Sequence, residues 1–153
     1  MIVRPTQARP CKYGLLDGQI LVDGERSGGA WWLGRFCEYR GFMTPLHLHP
    51  EADEYFYVLD GVLSVFLDGQ WHDLEAGSVA QIPRGTSHAQ GVTGSESTNF
   101  LGWGAPAGFD GAFRELSELA LRMSHTDPQW GAEVSRIITR HDTKVLGPPP
   151  RRA

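Results

Sequence analysis

The sequence predicts an all-β fold, a sandwich or barrel of short strands, followed by two C-terminal helices. Two observations predict the strands. Nineteen Gly and ten Pro punctuate the 153 residues, and between them lie short runs rich in Val, Ile, Leu, Phe, Tyr and Trp. Asp60-Gly61 and Asp68-Gly69 separate such runs, and an Asp-Gly pair readily supplies the positive-φ backbone of a tight hairpin turn. A third observation predicts the helices: beyond Pro106 the apolar residues recur every three to four positions.

Strands are expected at 19–22, 30–39, 44–49, 54–59, 62–67, 78–82 and 98–103. Phe109, Phe113, Leu116, Ala120 and Met123 then predict an amphipathic helix over about 108–122. A second helix is expected over 128–141, with Asp127 as N-cap and Pro128 in the first helical position. Trp130, Val134, Ile137 and Ile138 share one of its faces. The Pro-rich tail cannot continue a helix and is expected to be extended. The chain therefore reads as an N-terminal arm (1–14), a barrel (15–105) and a helical segment with tail packed on the barrel (106–153).

Composition narrows the function. Hydrophobic residues at 41% and charged residues at 21% suit one globular domain with a real core. The net charge of −4 is spread along the chain, which argues against a nucleic-acid or anionic-membrane partner. No apolar run is long enough for a membrane span, and residues 1–10 lack the apolar core of a signal peptide. Cys11 and Cys37 are too few for a disulfide framework and read as free thiols, so a cytoplasmic location is expected.

Four residues carry the chemistry. His47 and His49 are two apart in a predicted strand, so both imidazoles project from one face. Glu54 opens the next strand, and His88 follows the turn Pro83-Arg84-Gly85. Three imidazoles and one carboxylate form a mixed N/O set suited to a divalent transition metal: Fe, Mn, Ni, Cu or Zn. The remaining histidines, His72, His125 and His141, stand alone among polar or helical residues and read as surface residues.

Gly41, five residues, His47-Leu48-His49, four residues, Glu54, six residues and Gly61 resembles the first cupin motif at every fixed position. Gly77, five residues, Pro83-Arg84-Gly85, two residues and His88 resembles the second, except that the usual Asn is Val92. The segments around Glu51–Gly61, Pro106–Leu116 and Val145–Pro149 are similar to those of single-domain cupins like quercetin 2,3-dioxygenase. This resemblance implies a double-stranded β-helix (a cupin jelly-roll barrel), a metal held by His47, His49, Glu54 and His88, and a homodimer. It further implies a metal-dependent dioxygenase that joins dioxygen to a small aromatic, flavonoid or polyketide-like substrate, with Glu54 as catalytic base. The alternatives are a non-redox isomerase, dehydratase or cyclase of secondary metabolism, or a barrel that binds a small molecule without catalysis.

Strand alternation assigns the aromatics. With Glu54 inward, Phe56 and Val58 share its side, whereas Tyr55 and Tyr57 face outward. Phe36, Phe56, Phe100 and Trp103 are the candidate substrate-lining residues. One of Trp31 and Trp32 is expected outside the barrel, and Cys37 is expected to be a buried small hydrophobe.

Overall fold

A strand that alternates apolar and polar residues buries one face only, so this chain must stack two sheets to hide its apolar side. The computed structural model describes residues 1–94 and 96–152 and shows that arrangement. Among the described residues, eleven strands occur: β1 (Arg9–Tyr13), β2 (Leu16–Val22), β3 (Trp32–Glu38), β4 (Leu46–Leu48), β5 (Asp53–Asp60), β6 (Val62–Leu67), β7 (Gln70–Glu75), β8 (Val79–Ile82), β9 (His88–Gly91), β10 (Thr98–Ala105) and β11 (Lys144–Gly147). One sheet runs β1-β2-β3-β10-β5-β8 and the other β11-β4-β9-β6-β7. Every strand pair is antiparallel. The core lies between the sheets, and the β-barrel expectation is met.

Parity along β3 and β5 places the core side chains. Trp32, Gly34, Phe36 and Glu38 are buried on β3, and Glu54, Phe56 and Val58 on β5. The Phe36 ring fits because Gly18 and Gly34 face it; a Cβ on either would collide with that ring. A Cβ at Gly104 would likewise strike the Trp32 indole. Glycine here makes room for large rings in a narrow barrel.

Four expectations need correction. Residues 9–13 are not part of an arm: they form β1, paired with β2 from Arg9↔Ile20 to Tyr13↔Leu16. The barrel does not end at 105, because β11 returns from the tail and pairs with β4, Val145 opposite His47. Asp127 does not cap the second helix. It accepts a hydrogen bond from the Gln129 amide at 2.8 Å in the preceding turn, and the helix begins at Trp130. Cys11 is the fully buried thiol, pushed up to about 12 by burial, whereas Cys37 is half-buried.

A short helix, α1 (Gly24–Ser27), is capped by the Asp23 carboxylate. Helices α2 (Asp110–Ala120) and α3 (Trp130–Ile138) bury Phe113, Leu116, Leu119, Ile137 and Ile138 against the barrel. Helix α2 packs on β1, where the Lys12 amide donates to Ser117 Oγ at 3.1 Å. Glu115 of α2 pairs with Arg140 and His141 beyond α3 and so ties the two helices together. Among the described residues, no helix is long and apolar enough to cross a membrane.

Candidate metal centre

The four candidate ligands arrive from both sheets. His47 on β4 lies directly opposite His88 on β9, and His49 follows one residue after β4 ends. Glu54 comes from β5 of the facing sheet. One donor atom from each lies within 4.8 Å of the others, and all four residues are buried. Glu54 Oε2 stands 2.9 Å from His88 Nε2 and 3.3 Å from His49 Nε2.

Each imidazole is oriented by a backbone carbonyl. His47 Nδ1 lies 2.8 Å from the Pro45 carbonyl, His49 Nδ1 2.8 Å from that of Asp142, and His88 Nδ1 3.0 Å from that of Thr86. A carbonyl only accepts, so each Nδ1 carries a proton, which leaves Nε2 as the atom that each ring can offer to an ion. Three Nε2 atoms and a carboxylate oxygen thus meet in one buried spot. Such a concentration of donor atoms could take a cation among them, and the N/O set suits a divalent transition metal. The cluster could hold one.

The electrostatics favour an ionised Glu54 and a neutral His47, while Glu54 draws His49 toward its charged form. Burial pushes the Glu54 carboxyl up, but the charges and hydrogen bonds of His49 and His88 outweigh it and hold it well below the usual carboxylate range. Burial, with His88 and His49 adding, pushes His47 down to about 3. His49 is raised, because Glu54 outweighs the effect of burial.

Turns on both sides lock the cluster. Asp142 adopts a φ of +41° and caps the turn between His49 and Glu54 with its carboxylate. The Glu51 and Ala52 amides donate to it at 3.0 and 3.1 Å. Arg84 donates to Asp53 from its backbone at 2.9 Å and from Nε at 3.0 Å, and the Gly85 amide donates to the His49 carbonyl at 2.8 Å. Gly85 needs φ of +77° to make that approach. The second motif's turn is therefore bonded to both the first motif's end and the strand of Glu54.

A cavity of about 40 Å³ adjoins the cluster, lined by His47, His49, Glu54 and a set of aromatic rings. Phe36, Phe56 and Phe100 line it, as do Trp32, Phe109 and Phe113. Trp103 does not: it lies on the other face of β10, stacked on Tyr55 with centroids 5.1 Å apart. Phe100 and Trp103 are an odd number of positions apart in one strand, so without a bulge between them they face opposite ways. Trp32 is the buried member of its pair, and Tyr55 and Tyr57 face outward. A second cavity, about 230 Å³, lies between α3 and the barrel and shares Tyr13, Thr44, His47 and Phe109 with the first. The Phe109 ring stands 5.2 Å from that of His49. His72, His125 and His141 stay outside the cluster.

Sequence reasoning passed over Glu38, Gln90 and Asp142. Parity with Phe36 would have turned Glu38 inward, and parity with His88 does the same for Gln90. Asp142 had no signal beyond being an Asp near a predicted helix end.

Two sheets, a cavity between them and three histidines with a glutamate at its edge define a β-barrel with a candidate metal centre. Residues 38–103 match the family model described as the cupin domain, and over that segment the chain is similar to the cupin superfamily. It is 30% identical over 88 residues to quercetin 2,3-dioxygenase of Bacillus subtilis, an alignment covering 58% of this chain and 26% of that protein. The match thus spans about a quarter of that relative's length. Among solved structures, a predicted oxalate decarboxylase from Thermotoga maritima has a TM-score of 0.61 at 24% identity, covering 69% of this chain and 99% of that one. The polyketide cyclase RemF from Streptomyces resistomycificus has a TM-score of 0.58 at 22% identity, covering 69% and 84%. These two likenesses are of fold.

Proposed function

We propose that this chain is a metal-dependent dioxygenase of the quercetinase kind, acting on a small aromatic, flavonoid or polyketide-like substrate. The observation that carries this is the convergence of three Nε2 atoms and the Glu54 carboxylate at the wall of an aromatic cavity. His47, His49, Glu54 and His88 would hold the ion. When bound, a redox-capable metal supplies Lewis acidity and a route for electrons between an enolic substrate and dioxygen.

The chain's own residues do the rest. Glu54 has two oxygens, and Oε2 is the one facing His49 and His88. Its carboxylate is ionised over the physiological range and accepts the proton of an enol or phenol placed beside it. Phe56, Phe100 and Phe109 give an apolar wall that orients a flat ring and keeps water away. The cavity beneath α3 offers a path inward, with Phe109 and His47 at its inner end.

The test is oxygen uptake by metal-loaded protein on a panel of flavonols and polyphenols, repeated under strict anaerobiosis. Oxygen-dependent consumption of a panel member supports the dioxygenase. Undiminished product without oxygen removes it and favours a cyclase or isomerase on the same ligands. A ligand that binds and is recovered unchanged favours binding without catalysis.

A further inference from the structure

We propose that Glu38 is a substrate-contacting residue: its free carboxyl oxygen pairs with a ring hydroxyl of the substrate outside the enol–carbonyl pair that faces the histidines. This rests on the enzyme reading above and adds a chemical class to it. The pocket selects aromatic molecules with a ring hydroxyl beyond the reacting enol and its neighbouring carbonyl.

Glu38 is completely buried, at 0% exposure, and lines the same cavity as His47, His49 and Glu54. Its two oxygens differ. Oε1 accepts from Gln90 Nε2 at 3.4 Å. Oε2 is the one buried side-chain polar atom without a hydrogen-bond partner among the described residues. Buried polar atoms without partners are rare in native proteins, because each keeps a desolvation cost that nothing offsets.

The side chain is held in that position. Gln90 is fixed in turn by Thr44, whose hydroxyl lies 3.1 Å from Gln90 Oε1, and the Gln90 amide donates to Thr44 Oγ1 at 3.0 Å. This chain of contacts sets which way the Gln90 amide points, so its NH₂ faces Glu38. A carboxyl that only needed burial would not require such a bracket, and a hydrophobic residue would fill the place between Phe36 and the barrel's end better. Burial pushes the Glu38 carboxyl up to about 8, the Gln90 hydrogen bond opposing and the Glu54 charge adding. Near neutral pH it is thus both donor and acceptor, able to give and receive a hydrogen bond with a ring hydroxyl. A site built to pair with such a group rejects analogues that lack it, because the protein atom is then left bare.

The experiment uses metal-loaded full-length protein and two probes, 3-hydroxyflavone and quercetin, which share the enolic hydroxyl and differ in added ring hydroxyls. Binding is read from quenching of the intrinsic Trp fluorescence, with metal content and Tm measured in parallel. The wild type should prefer quercetin by about tenfold or more. Glu38→Met should erase the preference while keeping metal content, a Tm at or above that of the wild type and the affinity for 3-hydroxyflavone, and Glu38→Gln should restore part of it. Should Glu38→Met fail to fold, Glu38→Ala gives the same reading. A preference that survives loss of the carboxyl overturns the assignment, as does a wild type that binds both probes equally. A wild type that binds neither probe overturns the flavonoid reading itself, and this assignment with it.

Discussion

His47 and His88 face each other across the β4–β9 pair with ring centroids 4.3 Å apart. Both rings are held at Nδ1 by backbone carbonyls, and His88 places Nε2 2.9 Å from the Glu54 carboxylate that β5 brings from the opposite sheet. The relation fixes two of four donors through backbone pairing alone, before any ion arrives.

His49→Ala should lose metal and activity together while keeping the fold. The barrel core is built from apolar strands, and His49 sits outside β4. Elemental analysis and far-UV circular dichroism check this; a large loss of β signal would show that the ion is structural instead.

Glu54→Gln should keep much of the metal and lose most of the rate, by on the order of a hundredfold or more, because an amide cannot accept the substrate proton. Paired measurements of metal stoichiometry and kcat decide it. A rate near that of the wild type would remove Glu54 as base.

Asp142→Ala should weaken metal retention by roughly tenfold to a hundredfold, the range for groups that orient ligands from behind. The carbonyl behind His49 remains, but the Glu51 and Ala52 amides lose their acceptor and the positive φ loses a residue type that tolerates it. Asp142→Asn should lose less. Chelator competition measures both.

How much of this was legible in the sequence follows from where each signal resides. The four ligands and the inward turn of Phe56 could be read because motif spacing and strand parity are local properties. Strand β9 (His88–Gly91) could not, since its inward residues serve the site and leave no apolar alternation. Strand β7 (Gln70–Glu75) is a polar edge with the same difficulty. Strand β11 depends on a pairing with β4 some hundred residues earlier in the chain, which no local window contains. Trp103 is different: parity with Phe100 already excluded both from facing inward, and aromatic character was given too much weight.

Stability should depend on pH through Glu38. Its folded pKa of about 8 exceeds the ordinary carboxyl value of 4.5. Below about 4.5 both states carry the proton and the contribution is complete. As pH rises from there to about 8, the unfolded chain ionises while the folded one does not, so stability falls, by up to a few kcal/mol. Tyr13 from β1, His47 from β4 and Glu54 from β5 line the same cavity as Glu38. Denaturant titrations of metal-loaded wild type and Glu38→Gln across this window isolate its share; identical slopes would remove it.

The Asp142 contacts bear on how the chain matures. By the time residue 88 has left a ribosome, all four metal-facing side chains are outside and the segment matching the family is nearly synthesised. The ring of His49 still lacks the carbonyl that orients it, and the turn before Glu54 still lacks its cap. Both arrive only with residue 142, and β11 then closes over β4. The ligands of a nascent chain therefore stay without these supports over the fifty or so residues between His88 and Asp142, and the site is braced only once the segment beyond the helices has docked.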